Sequence, residues 1–167
     1  GAVYFTDYSD LQVQTPIGPG VLDIRNAAAA TIRGLELEAE VQPSPRWRLG
    51  GHMAWTDARY DRYLAPGPGG TSVDAAGRRL FNAPEWSGRT WVEYRTQIGA
   101  AGAWSLSLEA LMQSTVYFTA LNDPIERQGP YGLVNANLTV RPRQRWSIGI
   151  FARNLTDTDY VTGTSSS

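Results

Sequence analysis

The stretch WSLSLEALMQSTVYFT, which runs from Trp104 to Thr119, decides the fold. From Trp104 to Ala110 every second residue is apolar, and the residues between them are Ser105, Ser107 and Glu109. Successive side chains of an extended strand point to opposite faces, so this spacing separates an apolar face from a polar one. The segment therefore predicts a β-strand that is exposed to two different environments.

The same alternation recurs along the rest of the chain. We expect strands over about Ala2–Val13, Ala28–Gln42, Arg46–Tyr63, Pro84–Ile98, Trp104–Thr119, Tyr131–Arg141 and Arg145–Leu155. Tight turns are expected near residues 43–45, 99–103 and 142–144, and long connections near 14–26, 64–82 and 120–130, where Pro and Gly cluster. We expect no regular element from Ala65 to Arg79. The sequence thus predicts an all-β fold, an antiparallel up-and-down meander of about seven strands with every long connection at one edge.

Composition limits the classes of function. Hydrophobic residues make up 42% of the chain, the net charge is −1, and the 15 basic residues are scattered, so nothing indicates a nucleic-acid partner. No apolar run approaches the roughly 18 to 20 residues of a membrane-spanning helix. Cysteine is absent, which excludes disulfides and thiol catalysis. No Ser/His/Asp set is visible, so we do not expect an enzyme.

Two-faced strands with long connections at one edge are typical of a barrel that crosses a bacterial outer membrane. Tryptophans support this interpretation, because amphipathic rings prefer membrane interfaces. Trp47, Trp104 and Trp146 follow the tight turns and predict a belt on the periplasmic side. A second belt near the long connections is predicted from Trp55, Trp86 and Phe118, together with Tyr60 and Tyr131. The alternative is a soluble β-sandwich or a lipocalin-like barrel with tryptophans in its core.

Three motifs resemble the carboxy-terminal part of the barrel of TonB-dependent outer-membrane receptors. In the segment Asn26–Glu40, Gly34 and Glu36 occupy the Gly-x-Glu positions of one family strand. The segment Leu80–Pro84 (Leu-Phe-Asn-Ala-Pro) is similar to the opening of the next strand pair. Asn154–Tyr160 resembles the Asn-Leu-x-Asp-x-x-Tyr motif that precedes the last strand.

The resemblance implies a partial transmembrane β-barrel in the cell outer membrane. Family members have a plug domain and about 22 strands, so we expect residues 1–167 to be a fragment of that barrel domain, without the plug domain and the last strand. The implied function is TonB-dependent uptake of a scarce nutrient, most often a ferric siderophore, with vitamin B12, haem or a glycan as other ligands. The implied partners are outer-membrane lipid, the TonB complex acting through the plug, and the small-molecule ligand. A binding barrel that does not transport is the second hypothesis.

Few residues suggest chemistry. Arg78, Arg79 and Arg127 lie in or beside long connections, where a receptor could meet an anionic ferric chelate. Asp57 and Asp61 lie near the same rim, where they either bind a cation or solvate the base of a connection. Same-face carboxylates of one strand are about 7 Å apart, too far to share a metal ion. We therefore expect no metal and no cofactor, and we interpret two features as parts of a polar lumen wall: the single histidine, His52, and the run Glu36, Glu38 and Glu40 pairing with Arg46 and Arg48.

Overall fold

The computed structural model describes residues 1–18, 21–97, 99, 102–142 and 146–163, and its regular elements are almost all strands. In chain order these are β1 (Ala2–Gly18), β2 (Val21–Ser44), β3 (Trp47–Arg62), β4 (Leu64–Pro66), β5 (Ser72–Asp74), β6 (Trp86–Gln97), β7 (Gly102–Gln113), β8 (Val116–Tyr117), β9 (Arg127–Gln128), β10 (Tyr131–Pro142) and β11 (Ile148–Ala152), with a 3-10 turn at Pro68–Gly70. In the described part of the chain, no helix is long and apolar enough to cross a membrane.

Seven strands form one antiparallel sheet in the order β1-β2-β3-β6-β7-β10-β11. Two small hairpins, β4–β5 and β8–β9, stand apart from it. Each strand of the large sheet pairs with its neighbour along the chain once these hairpins are set aside, which confirms the predicted meander. The sheet does not close on itself, so this chain forms an arc of a barrel wall.

Residues directly opposite each other on paired strands point to the same face. Leu35, Leu37 and Val41 of β2 lie on a face whose large side chains remain exposed, which we call the apolar face. Glu36 and Glu38 lie on the other, polar face. The predicted alternation is confirmed, and the apolar face is open to whatever surrounds the wall.

The two ends of the sheet differ. At the short-turn end, β2 and β3 are joined by a turn at Pro45 and Arg46. At the long-connection end lie the first connection (residues 63–85), which contains β4 and β5, and the second connection (residues 114–130), which contains β8 and β9. The predicted tight turns at 99–103 and 142–144 involve residues 100, 101, 143 and 144, which lie outside the described residues.

The predicted long loop near 14–26 is wrong. β1 continues to Gly18 and β2 starts at Val21, with pairing maintained through several register shifts. Pro16 does not interrupt this hairpin, because β1 pairs only with β2 among the described strands. A proline in such an edge strand leaves no ladder hydrogen bond unmade on its open side.

Three further boundaries differ from the prediction. The stretch Ala65–Arg79 is not irregular throughout, because β4 and β5 pair from Leu64 to Asp74. The strand that starts near Trp104 ends at Gln113 rather than at Thr119, and the chain then turns into β8. β11 covers Ile148–Ala152 and is shorter than the predicted Arg145–Leu155, because Asn154 adopts a left-handed conformation just past its end.

Packing is concentrated at the long-connection end. Its buried residues are Ala28, Ala30, Asp57, Ala58, Tyr60, Tyr63, Ala65, Ala75 and Val116. The first and second connections fold against the sheet there, with Leu11, Leu80, Ala120 and Leu121 packed around the buried cluster. Several positions are alanine, which leaves room for the connections to lie close to the strands.

Candidate functional site

Three neighbouring register rows form the middle of the apolar face, which we call the apolar band. The rows are Leu37-Met53-Gly88-Met112-Gly132, Ala39-Gly51-Thr90-Ala110-Val134 and Val41-Leu49-Val92-Leu108-Ala136-Ala152. Within these rows of the described strands, Thr90 is the single polar side chain, and none is charged. Leu37 and Met112 remain about half exposed. A contiguous charge-free surface with large exposed side chains is typical of a face that contacts lipid or another protein.

Aromatic rings border the band at the short-turn end. The Trp47 and Tyr94 ring centroids are 4.7 Å apart, and those of Tyr94 and Trp104 are 5.4 Å apart. Trp104 does not lie in the register row of Trp47. That row reaches β7 at Leu106, so Trp104 is displaced by two residues toward the short-turn end.

The displacement repeats two strands further along the sheet. The row of Trp104 reaches β11 at Ile148, and Trp146 lies two residues beyond it. Two residues span about 7 Å along a strand and two strand spacings about 10 Å across it, so the three tryptophans lie on a line at about 35° to the rows. Strands of membrane barrels tilt by about 35–45°, so in such a barrel this line would run parallel to the membrane surface.

At the long-connection end the apolar face changes from apolar to ionic within two residues. Trp55 and Trp86 are directly opposite each other, with ring centroids 6.4 Å apart. Two residues past Trp55, Asp57 accepts hydrogen bonds from Arg33 Nη2 (2.8 Å) and Arg59 Nε (2.7 Å). The apolar band therefore ends between Trp55 and Asp57, within a single two-residue repeat of β3.

Asp57 is the buried centre of this ionic group. Its side chain is 10% exposed, while those of Arg33 and Arg59 are 60% and 46% exposed. Burial raises the pKa of Asp57, but the hydrogen bonds from Arg33 and Arg59 and their positive charges outweigh it, so the pKa is lowered from 3.8. Asp57 thus binds two guanidinium groups beyond the band. Because its carboxylate is already occupied by Arg33 and Arg59, it is not free to bind a metal cation, as one interpretation of the sequence allowed.

Ion pairs join β2, β3, β6 and β7 on the polar face. Of the expected pairs, Arg48 with Glu40 forms, whereas Glu36, Glu38 and Arg46 have no ion pair among the described residues. Arg48 also lies 3.9 Å from Glu93, which accepts from Arg95 Nε at 2.6 Å. Further along, Glu109 pairs with Arg89 and accepts from Asn135 Nδ2 at 3.0 Å. These pairs balance charge between the neighbouring strands β2, β3, β6 and β7.

Trp91 also lies on the polar face, beneath the Arg48 guanidinium at 5.6 Å. Its ring covers Gly50, where a Cβ would come within 2.7 Å of it. His52 is exposed and sits opposite Glu38 and Arg89. Among the described residues, no three His, Asp or Glu side chains are placed to hold a metal ion.

Steric crowding explains why the Gly-x-Glu motif has glycine at position 34. The Tyr4 side chain crosses Gly34 to reach Thr56, with 2.9 Å between the two hydroxyl oxygens. A Cβ at Gly34 would lie 2.4 Å from the Tyr4 ring and 2.6 Å from the Trp55 carbonyl oxygen. Gly34 therefore lets β1, β2 and β3 share one cross-strand contact.

Arg78 and Arg79 are engaged within the protein. Arg78 Nη1 donates to the Leu121 carbonyl of the second connection. Arg79 Nη2 lies 2.6 Å from Glu85, and its side chain is 18% exposed. Because Arg79 is directly opposite Arg59, it points to the side of the apolar face. Both arginines therefore hold the connections in place.

Arg127 differs from them. It lies in β9 opposite Tyr117, is exposed, and has no carboxylate within 4 Å among the described residues. Ile125, two residues earlier, is 87% exposed. The sequence predicted the same ligand-binding role for Arg78, Arg79 and Arg127. In the structure, Arg127 is the one of the three that is exposed.

The predicted second belt is only partly formed. Trp55 and Trp86 lie in it, but Phe118 has left the large sheet, and its N–H donates to the Glu126 carbonyl at 2.9 Å. Tyr131 is in the polar-face row of Ser87 and Gln113 and stacks on Tyr160 at 4.7 Å.

Tyr60 is also absent from the belt, because it is buried beneath the connections at 1% exposure. Its ring lies 5.1 Å from that of Tyr63. Burial, with a smaller contribution from Tyr63, raises the pKa of Tyr60 to about 12. The Phe81 backbone N–H lowers this pKa in part, but among the described residues the Tyr60 hydroxyl is the one buried side-chain polar atom that has no hydrogen bond of good geometry. The alternation of the sequence could not predict that Tyr60 is buried, because the residues that cover its ring come from connections distant in sequence.

The Asn-Leu-x-Asp-x-x-Tyr segment folds as a turn against β10. The Asn154 N–H donates to Asn135 Oδ1 at 3.0 Å, and Asn154 Oδ1 accepts from the Thr158 N–H at 3.0 Å. Both Asn154 and Asp157 have positive φ angles, 53° and 50°. Asn and Asp tolerate this conformation better than other non-glycine residues. The motif is therefore a structural turn at the edge of the wall.

Comparison with known proteins agrees with this architecture. The family described as "TonB dependent receptor-like, beta-barrel" matches residues 1–155. A comparison with curated proteins found no match.

Solved structures with the same fold include three bacterial receptors. They are the ferric yersiniabactin uptake receptor FyuA from Yersinia pestis (TM-score 0.75, 23% identity), the siderophore receptor PiuA from Acinetobacter baumannii (0.74, 16%) and the ferric preacinetobactin receptor BauA from Acinetobacter baumannii (0.64, 18%). In each case the match covers 95% of this chain and 22% of the other. The chain thus spans about a fifth of the length of these receptors.

Proposed function

Since this chain belongs to the TonB dependent receptor-like β-barrel family, we propose that it forms part of the wall of a bacterial outer-membrane receptor that takes up a ferric siderophore. The match over residues 1–155 and the siderophore receptors among its structural neighbours support this proposal. The remaining wall, a plug domain and the partnership with TonB would be supplied outside residues 1–167.

The observation that carries the membrane part is the charge-free apolar band with its oblique line of tryptophans. In this proposal Trp47, Trp104 and Trp146 lie at the periplasmic interface, and Trp55 and Trp86 lie toward the extracellular one. Between Trp47 and Trp55 the strand rises about 26 Å, or about 20 Å across the membrane after a tilt near 40°. Outer-membrane lipid covers the band, and the polar face lines the lumen.

Ligand contact is proposed at the extracellular connections, and chiefly at Arg127. An exposed guanidinium without a carboxylate neighbour is suited to an anionic ferric chelate. Arg78 and Arg79 would support this surface, because their contacts hold the two connections together.

Growth on a panel of ferric chelates as sole iron source, with and without the gene, tests the function. We expect loss of growth on one chelate, and restoration by the full-length gene. Arg127→Gln should raise the Kd for that chelate about tenfold, because the variant loses about the free energy of one charge-assisted hydrogen bond. Arg153→Gln, at an exposed arginine just past β11, is the matched control. Binding without any growth defect would instead favour a barrel that does not transport.

A further inference from the structure

Asn122 lies in the second connection and contacts the first. Its Oδ1 accepts from the Arg79 N–H at 2.8 Å, and its Nδ2 donates to the Arg79 carbonyl at 2.9 Å. The same Nδ2 lies 3.3 Å from the Thr119 carbonyl of its own connection. The side-chain amide therefore completes the backbone hydrogen bonding of a residue 43 positions away, as a neighbouring strand would.

The conformation of Asn122 is specific for this role. Its φ angle is 52°, a region in which asparagine is among the few favoured non-glycine residues. Its N–H donates to the Thr119 carbonyl at 3.2 Å, which closes a turn and directs the side chain outward from the second connection.

Two further contacts join the same connections. The Asn82 N–H donates to the Tyr117 carbonyl at 2.9 Å, and Arg78 reaches the Leu121 carbonyl. Each connection therefore contributes backbone groups whose hydrogen-bond partners, within the described part of the chain, lie on the other connection. Buried or half-buried backbone groups that lose a partner are costly, so the connections should open together.

We propose that Asn122 is a positioning residue that joins the first and second connections into one rigid unit at the mouth of the barrel. A ligand that contacts Arg127 on the second connection would then also act on the first. The ligand half of this statement rests on the proposed function, whereas the coupling of the two connections does not.

Hydrogen exchange on the full-length protein in lipid vesicles tests the coupling without a ligand. In Asn122→Gly, which tolerates the positive φ, we expect about tenfold faster exchange of the Gly77 and Leu80 amides as well as of the Phe118 amide. Gly77 and Leu80 donate to Tyr60 and Ala58 and make no direct contact with Asn122. Asn137→Gly, on an exposed part of β10, makes the same chemical change and should leave all three amides unchanged. Acceleration of the Phe118 amide alone would overturn the proposal.

A double-mutant cycle separates coupling from general loosening. Val73→Gly weakens the β4–β5 hairpin at its pairing with Ala65. It should accelerate exchange of the Phe118 amide in the wild-type background by about threefold and add nothing in Asn122→Gly. Equal acceleration in both backgrounds would also overturn the role of Asn122. A ferric chelate that fails to bind would refute the proposed function but leave these exchange results intact.

Discussion

The apolar band and the long-connection end are stabilised in different ways. The band has paired backbones and side chains that are exposed or half-buried, and none of its residues is in the buried cluster. The long-connection end has that cluster, the Asp57 ion pairs and two connections packed on each other. One chain therefore contains a surface that depends on its surroundings and a region that supplies its own packing.

Under the proposed function, this difference follows from where the hydrophobic effect acts. In lipid, the backbone groups of the band are satisfied within the sheet, and its side chains need only an apolar neighbour. Beyond the band, water competes for every polar group, so stability again requires burial and hydrogen-bond partners. Mutations should follow these separate rules on the two sides of Trp55.

The largest effect is expected from a charge in the band. Leu108 lies on β7, four residues from Trp104, in the row of the band nearest the short-turn end. Leu108→Arg should lower the free energy of unfolding from lipid vesicles by about 2–4 kcal/mol, because the guanidinium would face hydrocarbon. Ser107→Arg places the same charge on the polar face and should cost far less. Similar costs at both positions would show that the band does not face lipid.

The boundary between the two regions can be tested at Gly34. Gly34→Ala should destabilise the full-length protein by about 1–3 kcal/mol, as overpacking does, since its Cβ would meet both Tyr4 and the Trp55 backbone. Gly149→Ala, where nothing lies within 4 Å of the new Cβ, is the matched control. Denaturant unfolding in vesicles measures both, and an unchanged midpoint for Gly34→Ala would contradict the steric account.

The band was predictable from sequence because period-two alternation determines which side chains share a face. The alternation within β7 alone predicts that Leu106, Leu108 and Ala110 share the apolar face, and no information about other strands is needed. The order of the strands followed from the turns, since a meander needs only nearest neighbours. The prediction failed at residues 14–26, where Pro and Gly suggested a loop but cross-strand pairing extended the hairpin.

The long-connection end was less predictable, because its contacts join residues far apart in sequence. Asn122 gave one usable signal, a turn residue before Asp123 and Pro124, but nothing local indicates that its partner is Arg79. Arg79 itself looked accessible for a ligand, and only the fold places it beside Glu85. Local patterns therefore determine the wall, whereas the loop packing emerges from the tertiary arrangement.

Tyr60 offers a stabilising change at the long-connection end. Its buried hydroxyl has no hydrogen bond of good geometry among the described residues, and the Phe81 N–H is the one backbone group that acts on it. Tyr60→Phe should therefore raise the free energy of unfolding by about 1 kcal/mol through relief of that desolvation. Tyr63→Phe in the same cluster should give no such gain. Loss of stability in Tyr60→Phe, measured by denaturant unfolding, would show that the hydroxyl has a partner in the native protein.

The smallest effect is expected from acid, and it should be confined to the long-connection end. The pKa of Asp57 is lowered in the folded state, so its contribution to stability is complete above about 3.8, the ordinary value, and is lost as the pH falls through the lower folded value. Arg33 and Arg59 would then lose their shared carboxylate, while the charge-free band has no group to titrate.

Unfolding midpoints of the full-length protein between pH 5 and pH 2 should fall less in Asp57→Asn than in the wild type. Asp61→Asn removes a carboxylate of the same rim and controls for net charge. Parallel curves for Asp57→Asn and the wild type would mean that this ion group does not hold the connections in place.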